Sequence, residues 1–297
     1  MASSLAQPVT LPTTRGRRRR VRRPAVVYAT NLVLGILFML PFLWTLSSAL
    51  KSESEIFDFP PRLIPAVPQP HNFVEIFQAP FRFSLWTFNS LTVALLATLG
   101  TVATASLVAY GFARFDFRLK NTLFMITIAT MLLPGQVTLI PRFVLFKHLR
   151  WIDTLYPLWV PFWFGGSAFA IFLIRQFLLT LPRELDEAAI IDGASYFRIF
   201  WNVLMPLCKP AIAALAIISF IAQWDSFLEP SIFLNSPENF TLAIGLWFFK
   251  AQPMVASKPT THLLMAASVT SIMVPIALFF SFQRYFVQGI ALTGIKG

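Results

Sequence analysis

The sequence predicts an all-α integral membrane protein with six transmembrane helices and a cytoplasmic two-helix loop between spans four and five. Three observations carry that prediction. Of 297 residues, 56% are hydrophobic and 12% charged, with 32 Phe, so the chain cannot cover itself with polar surface. Mean hydropathy is +0.67, and the apolar residues gather into runs near the ~20 residues that cross a bilayer core. Between two such runs lies a charged island, residues 181–210, LPRELDEAAIIDGASYFRIFWNVLMPLCKP, in which Glu184, Asp186, Glu187 and Asp192 supply four of the chain's 13 acidic residues.

In chain order, residues 1–24 form a polar tail ending in a basic run, Arg15, Arg17 to Arg20, Arg22 and Arg23. Directly before an apolar span, such a run holds its end in the cytoplasm. The apolar stretch that follows, 25–50, is longer than the apolar part of a signal peptide, ~7–15 residues, so the first span is expected to stay. The spans fall near 25–49, 85–111, 121–140, 155–179, 210–234 and 263–288, the rest of the chain leaving no room for a soluble domain. With both termini inside, sixteen of the 24 Lys and Arg lie on cytoplasmic segments and eight outside, as the positive-inside rule asks. The external stretch Arg142 to Arg150 argues locally for the reverse; the N-terminal arginines and the island outweigh it.

The first external loop, 51–84, carries Pro60, Pro61, Pro65, Pro68, Pro70 and Pro80, which make it a semi-rigid lid. It either meets a soluble delivery protein or packs over its own helices. In span three, Pro134 and Gly135 remove a helical hydrogen bond and kink the ladder. Broken helices in membranes are tolerated where they are buried or line a cavity, so Gln136 either faces a solute path or marks a structural kink. In span five, Asp225 lies fifteen residues beyond Pro210, ~22 Å along a straight helix and still within the membrane. A carboxylate at that depth is a functional candidate, and the neighbouring Trp224 offers a ring face to the C–H groups of a sugar. The alternative places both in the outer interfacial belt. Arg175, near the cytoplasmic end of span four, is expected to snorkel.

The island reads as two short helices meeting at a bend. Thr180 caps the first, Pro182 suits its first turn, and the acidic residues complement its positive end. Gly193 ends it by adopting a left-handed conformation, and Ser195 caps a second helix running to about Met205, before Pro206. Phe197, Phe200, Trp201 and Leu204 then share one face. Ala188 and Ala189, small side chains beside Glu187, let another backbone approach closely.

This segment resembles the cytoplasmic coupling loop of permease subunits of binding-protein-dependent ABC importers, E-A-A, three residues, G, nine residues, I-x-L-P. Glu187-Ala188-Ala189, Gly193 and Val203-Leu204-Met205-Pro206 carry the resemblance, with Val203 for Ile and Met205 for Leu. The turn Tyr110-Gly111-Phe112-Ala113-Arg114-Phe115 and the stretch Leu133-Pro134-Gly135-Gln136 are similar to the sugar-importing branch. Gln223-Trp224-Asp225-Ser226 and the tail from Gln283 to Gly297 resemble the second permease of maltose-type importers. The resemblance implies that Glu187, Ala188, Ala189, Asp192, Gly193 and Pro206 couple to an ATPase. It also implies a second related permease, an ATPase subunit dimer, an extracytoplasmic substrate-binding protein and a carbohydrate substrate in a bacterial cytoplasmic membrane. A polyol or glycerol phosphate is the alternative substrate.

Several chemistries lack their motifs. There is no G-x-x-x-x-G-K-[ST] loop, so ATP and Mg are expected on partner subunits and no cofactor in this chain. His71, His148 and His262 are scattered and Cys208 is the sole cysteine, so no metal site and no disulfide are expected. No G-x-S-x-G supports an intramembrane hydrolase, and no catalytic residue is assigned. A basic run of this kind can bind nucleic acid or acidic lipid, but directly before an apolar span it is read as holding its end in the cytoplasm, with membrane lipid and no nucleic acid as a partner.

Overall fold

The computed structural model describes residues 23–78, 82–165, 167–251 and 260–294. The chain divides into two units, 1–44 and 45–297. The basic run of the tail before Arg23 lies outside the described residues, as do 295–297 of the C-terminal tail. Every regular element among the described residues is helical. The longer helices are α1 (Arg23–Ala49), α2 (Phe83–Arg114), α3 (Lys120–Ala129), α4 (Leu139–His148), α5 (Ala168–Thr180), α6 (Glu184–Ile191), α7 (Lys209–Trp224), α8 (Leu242–Ala251) and α9 (Thr261–Gly294).

Four stretches are long and apolar enough to cross a membrane: Val26–Ala49, Phe83–Arg114, Tyr156–Thr180 and Thr261–Gln283. Two bent pairs raise the number to six if each is one span. They are Lys120–Leu132 with Gly135–His148, bent by 94°, and Tyr196–Leu207 with Lys209–Trp224, bent by 78°. The first bend sits at Pro134, where Leu133 is driven into an extended conformation, ψ 119°, as the residue before a proline tends to be.

In the second unit α2 is the central helix. Ala94, Ala97, Ala105, Ala109 and Ala113 recur along it at helical spacing and are fully buried. Small side chains let α5 and α7 pack closely against it, as association between helices in lipid favours. Two apolar clusters result. One gathers Trp86, Phe146, Phe220, Phe233, Phe249 and Leu263 around the start of α2; the other gathers Tyr110, Ile174, Leu178, Phe200, Leu204 and Leu215 around its end.

Besides the span bent at Pro134, two expected spans are interrupted. The helix expected over 210–234 stops at Trp224 and resumes as a short turn, Leu228–Phe233. Pro230 supplies the reason, because its ring would clash with the carbonyl four residues back if the helix ran on. The stretch expected over 155–179 is a turn Tyr156–Trp159, a 3-10 turn Val160–Trp163 and then α5. Pro157 and Pro161 start the two turns, and Gly165 at φ +138° adopts a conformation that other residues rarely take.

The loop 51–84, expected to be external, is tied back on residues 49–51 at the end of α1. Asn72, itself buried, donates from Nδ2 to the Ala49 and Lys51 carbonyls at 2.9 and 3.0 Å. The Gln69 N–H donates to the Leu50 carbonyl, while the Ser47 hydroxyl and Lys51 ammonium reach the Leu63 and Arg62 carbonyls. Residues 79–81 lie outside the described residues.

Candidate functional site

The island folds as two limbs around a glycine bend. The first limb, α6, begins with no side-chain cap: Arg183 occupies the cap position, and Thr180 instead donates to the Phe177 carbonyl within the previous helix. Thr180 is therefore the last residue of α5, not the first cap of α6, and Pro182 lies before the helix rather than in it. Glu184, Asp186 and Glu187 occupy the first turn, where negative charge opposes the positive helix end.

At the other end Gly193 takes φ +78°. The Ala194 N–H then reaches the Ala189 carbonyl and the Gly193 N–H the Ile190 carbonyl, both at 2.9 Å. This pair of bonds satisfies carbonyls that a helix end leaves open. Ser195 caps the second limb, its Oγ accepting from the Arg198 N–H at 3.3 Å. That limb is one α turn, Tyr196–Arg198, then a π-helix, Ile199–Leu204, then Met205–Leu207.

The π-helix redistributes the aromatic face expected of this limb. Phe200 and Leu204 are buried, whereas Phe197 and Trp201 are 70% and 64% exposed. A wider turn parts residues three apart while those four apart stay together, so the expected single stripe becomes an inner pair, Phe200 and Leu204, and an outer pair, Phe197 and Trp201.

The turn at the end of α2 holds both limbs. Arg114 Nε lies 3.0 Å from Asp186 Oδ2, both side chains largely buried, and Arg114 Nη2 donates to the Leu181 carbonyl at 3.2 Å. Tyr110 donates its hydroxyl to the Tyr196 carbonyl at 3.2 Å, and the Phe115 ring packs edge-on to both Tyr110 and Tyr196. Burial pushes the Asp186 carboxyl above its ordinary pKa, outweighing the Arg114 guanidinium that pulls it down. Glu187, Ala188, Asp192, Gly193 and Pro206 are all exposed, Ala189 is half-buried, and Ile191 stands out at 86% exposure. The polar ties were not assigned from sequence. Their signal is a basic residue ending one apolar span, Arg114, and an acidic residue starting the island, Asp186.

The other candidates are dispersed. Gln136 sits exposed on a 3-10 turn, Gly135–Thr138, just past the bend between α3 and α4. Trp224 is buried, its indole stacked on Phe220 with centroids 5.9 Å apart, so neither ring face is open as the sugar-stacking expectation requires. Asp225 caps the end of α7 and is exposed. Arg175 does not simply snorkel: its guanidinium lies 4.0 Å from the centre of the Phe124 ring and its Nε donates to the Phe112 carbonyl.

A polar network lies at the opposite end of α2. Asp153 accepts from the Asn235 and Ser236 N–H groups at 2.9 and 2.8 Å and from the Ser236 hydroxyl. Burial alone would raise its carboxyl, but these donors hold it down at about 2. Arg142 grips Glu229 with two N–H···O contacts, at 2.5 and 3.1 Å, and Arg82 pairs with Glu238 at 2.7 Å. Glu53 accepts from the His262 N–H at 3.1 Å and meets its ring Nδ1 at 2.8 Å.

Residues 102–292 match the family described as the binding-protein-dependent transport system inner membrane component. The arabinooligosaccharides transport system permease protein AraQ of Bacillus subtilis is 34% identical over 268 residues, 90% of this chain and 93% of that one. The sn-glycerol-3-phosphate transport system permease protein UgpE of Yersinia enterocolitica is also 34% identical, over 87% of this chain and 93% of its own. The fold resembles a chain in the crystal structure of a bacterial ABC transporter involved in the import of the acidic polysaccharide alginate, with TM-score 0.78 and 21% identity over 90% of this chain and 98% of that one. With six apolar crossings or bent pairs, and a family match covering the island and both flanking helices, the chain belongs to the inner membrane components of binding-protein-dependent transport systems and is a permease subunit.

Proposed function

We propose that this permease carries a carbohydrate across the bacterial cytoplasmic membrane, driven by ATP and Mg bound on separate ATPase subunits that dock on the island. A second related permease completes the path, a substrate-binding protein delivers the solute from outside, and both termini face the cytoplasm. The observation that carries the reading is the shape of the island. Its outer surface presents Glu187, Ala188, Ile191 and Asp192 to a partner, while Arg114, Tyr110 and Phe115 fix its inner surface to the membrane helices. A push on α6 is thereby delivered to the end of α2.

The bilayer sets what the path must do. Hydroxyl groups lose water partners on entering hydrocarbon, at roughly 1–3 kcal/mol each when unpaired in a protein, so the crossing needs a polar lining. Gln136 and Asp225, exposed beside two helix breaks, are the residues assigned to it. Trp224 joins them only in a state that opens the Phe220 stack. The glycerol phosphate permease, as similar as the oligosaccharide one, favours a second reading in which a phosphorylated polyol is the cargo.

Glu187→Ala removes charge from the docking surface, and Gly193→Val forces a branched side chain into a left-handed conformation at a cost of about 1–2 kcal/mol. Both variants should insert normally yet lose most substrate-stimulated ATP hydrolysis in the reconstituted complex. Full stimulation in both would falsify the docking assignment. The ligand retained by the co-purified delivery protein distinguishes sugar from glycerol phosphate.

A further inference from the structure

A cleft of ≈ 650 Å³ opens beside the island, between the end of α2, the turn that follows it, the start of α3 and the end of α5. Four charged side chains line it, Asp116, Lys120, Arg175 and Arg183, three of them cationic. Asp116 is already engaged, 3.0 Å from Lys120 and 3.9 Å from Arg183. Arg175 has no carboxylate partner among the described residues. Its Nε donates weakly, at 3.4 Å, to the Phe112 carbonyl, and stacking on Phe124 fixes the plane of the guanidinium. The two terminal nitrogens have no acceptor among the described residues, and they belong to a residue that lines the cleft.

A guanidinium held in place with a free fork matches two oxygens of a phosphate in geometry as well as charge. The position adds a constraint. Both α2 and α5 end here, so the cleft lies where hydrocarbon gives way to headgroups. Leu119 and Leu179 line it at 61% and 44% exposure, apolar surface beside the cations. A free anion leaves those side chains against water; a lipid covers them with its glycerol backbone and upper chains. Three cations against one carboxylate also disfavour a headgroup that carries its own positive charge. We propose that this cleft binds a phosphate oxyanion, supplied as the phosphodiester of an anionic membrane lipid. Basic pockets between membrane helices on the cytoplasmic side are suited to such headgroups. The proposal does not depend on the identity of the transported solute or on the docking of the ATPase.

The test uses the full-length chain in its purified complex, stripped of lipid in mild detergent. Native mass spectrometry then follows binding of phosphatidylglycerol, phosphatidylcholine and inorganic phosphate. Phosphatidylglycerol should bind about tenfold more tightly than phosphatidylcholine, the equivalent of one charge-assisted hydrogen bond, and Arg175→Gln should abolish that preference. Arg183→Gln, at a side chain 58% exposed and so outside the packed core, should reduce it in part. Equal binding of the two lipids, or an undiminished preference in both variants, would overturn the site. Displacement of phosphatidylglycerol by inorganic phosphate at matched concentration would overturn the lipid source.

Discussion

The two ends of α2 are built differently. At its start the polar groups are stitched to one another many times over. Trp86 donates from its indole to the Pro237 carbonyl at 2.8 Å, Asn89 donates to the Glu238 and Phe240 carbonyls, and Ser90 accepts from the Leu242 N–H. Packing there is close as well, since a Cβ on Gly245 would fall 2.2 Å from the Trp86 ring. At the end of α2 the island is joined by one buried ion pair, a few single hydrogen bonds and a π-helix, and a Cβ on Gly193 would meet nothing within 4 Å. One end is held by many ties, and the other by few, through which the proposed push would pass. Under the proposed orientation, the stitched end faces the delivery protein and the sparsely tied end faces the motor.

That difference predicts where single changes hurt most. Arg114→Ala leaves Asp186 buried without its partner, and breaking a buried pair in this way costs about 3–5 kcal/mol. Denaturation of the purified chain should register the loss, and limited proteolysis should open first at 181–210. The burial-raised pKa of Asp186 gives the effect a sign with pH. The penalty for the lone carboxylate is full above its folded pKa and fades as pH falls and the group takes up a proton, so the damage should shrink in acid. A defect that grows in acid would show that the pair is not the tie.

At the stitched end, Asp153→Ala strips the acceptor from two backbone N–H groups and a hydroxyl, worth about 2–3 kcal/mol for charge-assisted bonds. In the unchanged protein, the Asp153 carboxyl is depressed to about 2. Its contribution is therefore present above the ordinary carboxylate value of 3.8 and disappears as pH falls towards 2. Acid should loosen the stitched end as it spares the Arg114→Ala defect at the other. Hydrogen exchange at Asn235 and Ser236 separates the two, and protection that persists below pH ~2 would remove Asp153 from the network.

Much of this was legible because the bilayer simplifies the sequence. Apolar runs, the Pro134-Gly135 break, the Gly193 bend and the Ser195 cap are local signals, each set by a residue within a turn of the feature. What escaped depends on distant partners. Whether Trp224 faces in or out is decided by Phe220 and by the proline that stops α7, and the π-helix that parts Phe200 from Trp201 leaves no mark in the spacing. Asp186 and Glu187 are neighbours in one acidic turn, yet only the fold of α2 against α6 sends one to Arg114 and the other outward. Charge composition marked the island; chain topology turned Asp186 inward and left Glu187 exposed.

The smallest effect tests whether the stitching resides in backbone carbonyls or in surface charge. Glu238 pairs with Arg82, but the two side chains are 56% and 46% exposed, a setting in which an ion pair contributes about 0–1 kcal/mol and salt screens it. The same residue's backbone carbonyl receives the Asn89 side chain at 3.0 Å. Glu238→Gln removes the charge and keeps the carbonyl, so stability should fall by at most about 0.5 kcal/mol, with the difference vanishing in high salt. A loss as large as that of Asp153→Ala, unchanged by salt, would mean that the stitched end is held by its ion pairs. The contrast between the two ends would then be one of number and not of kind.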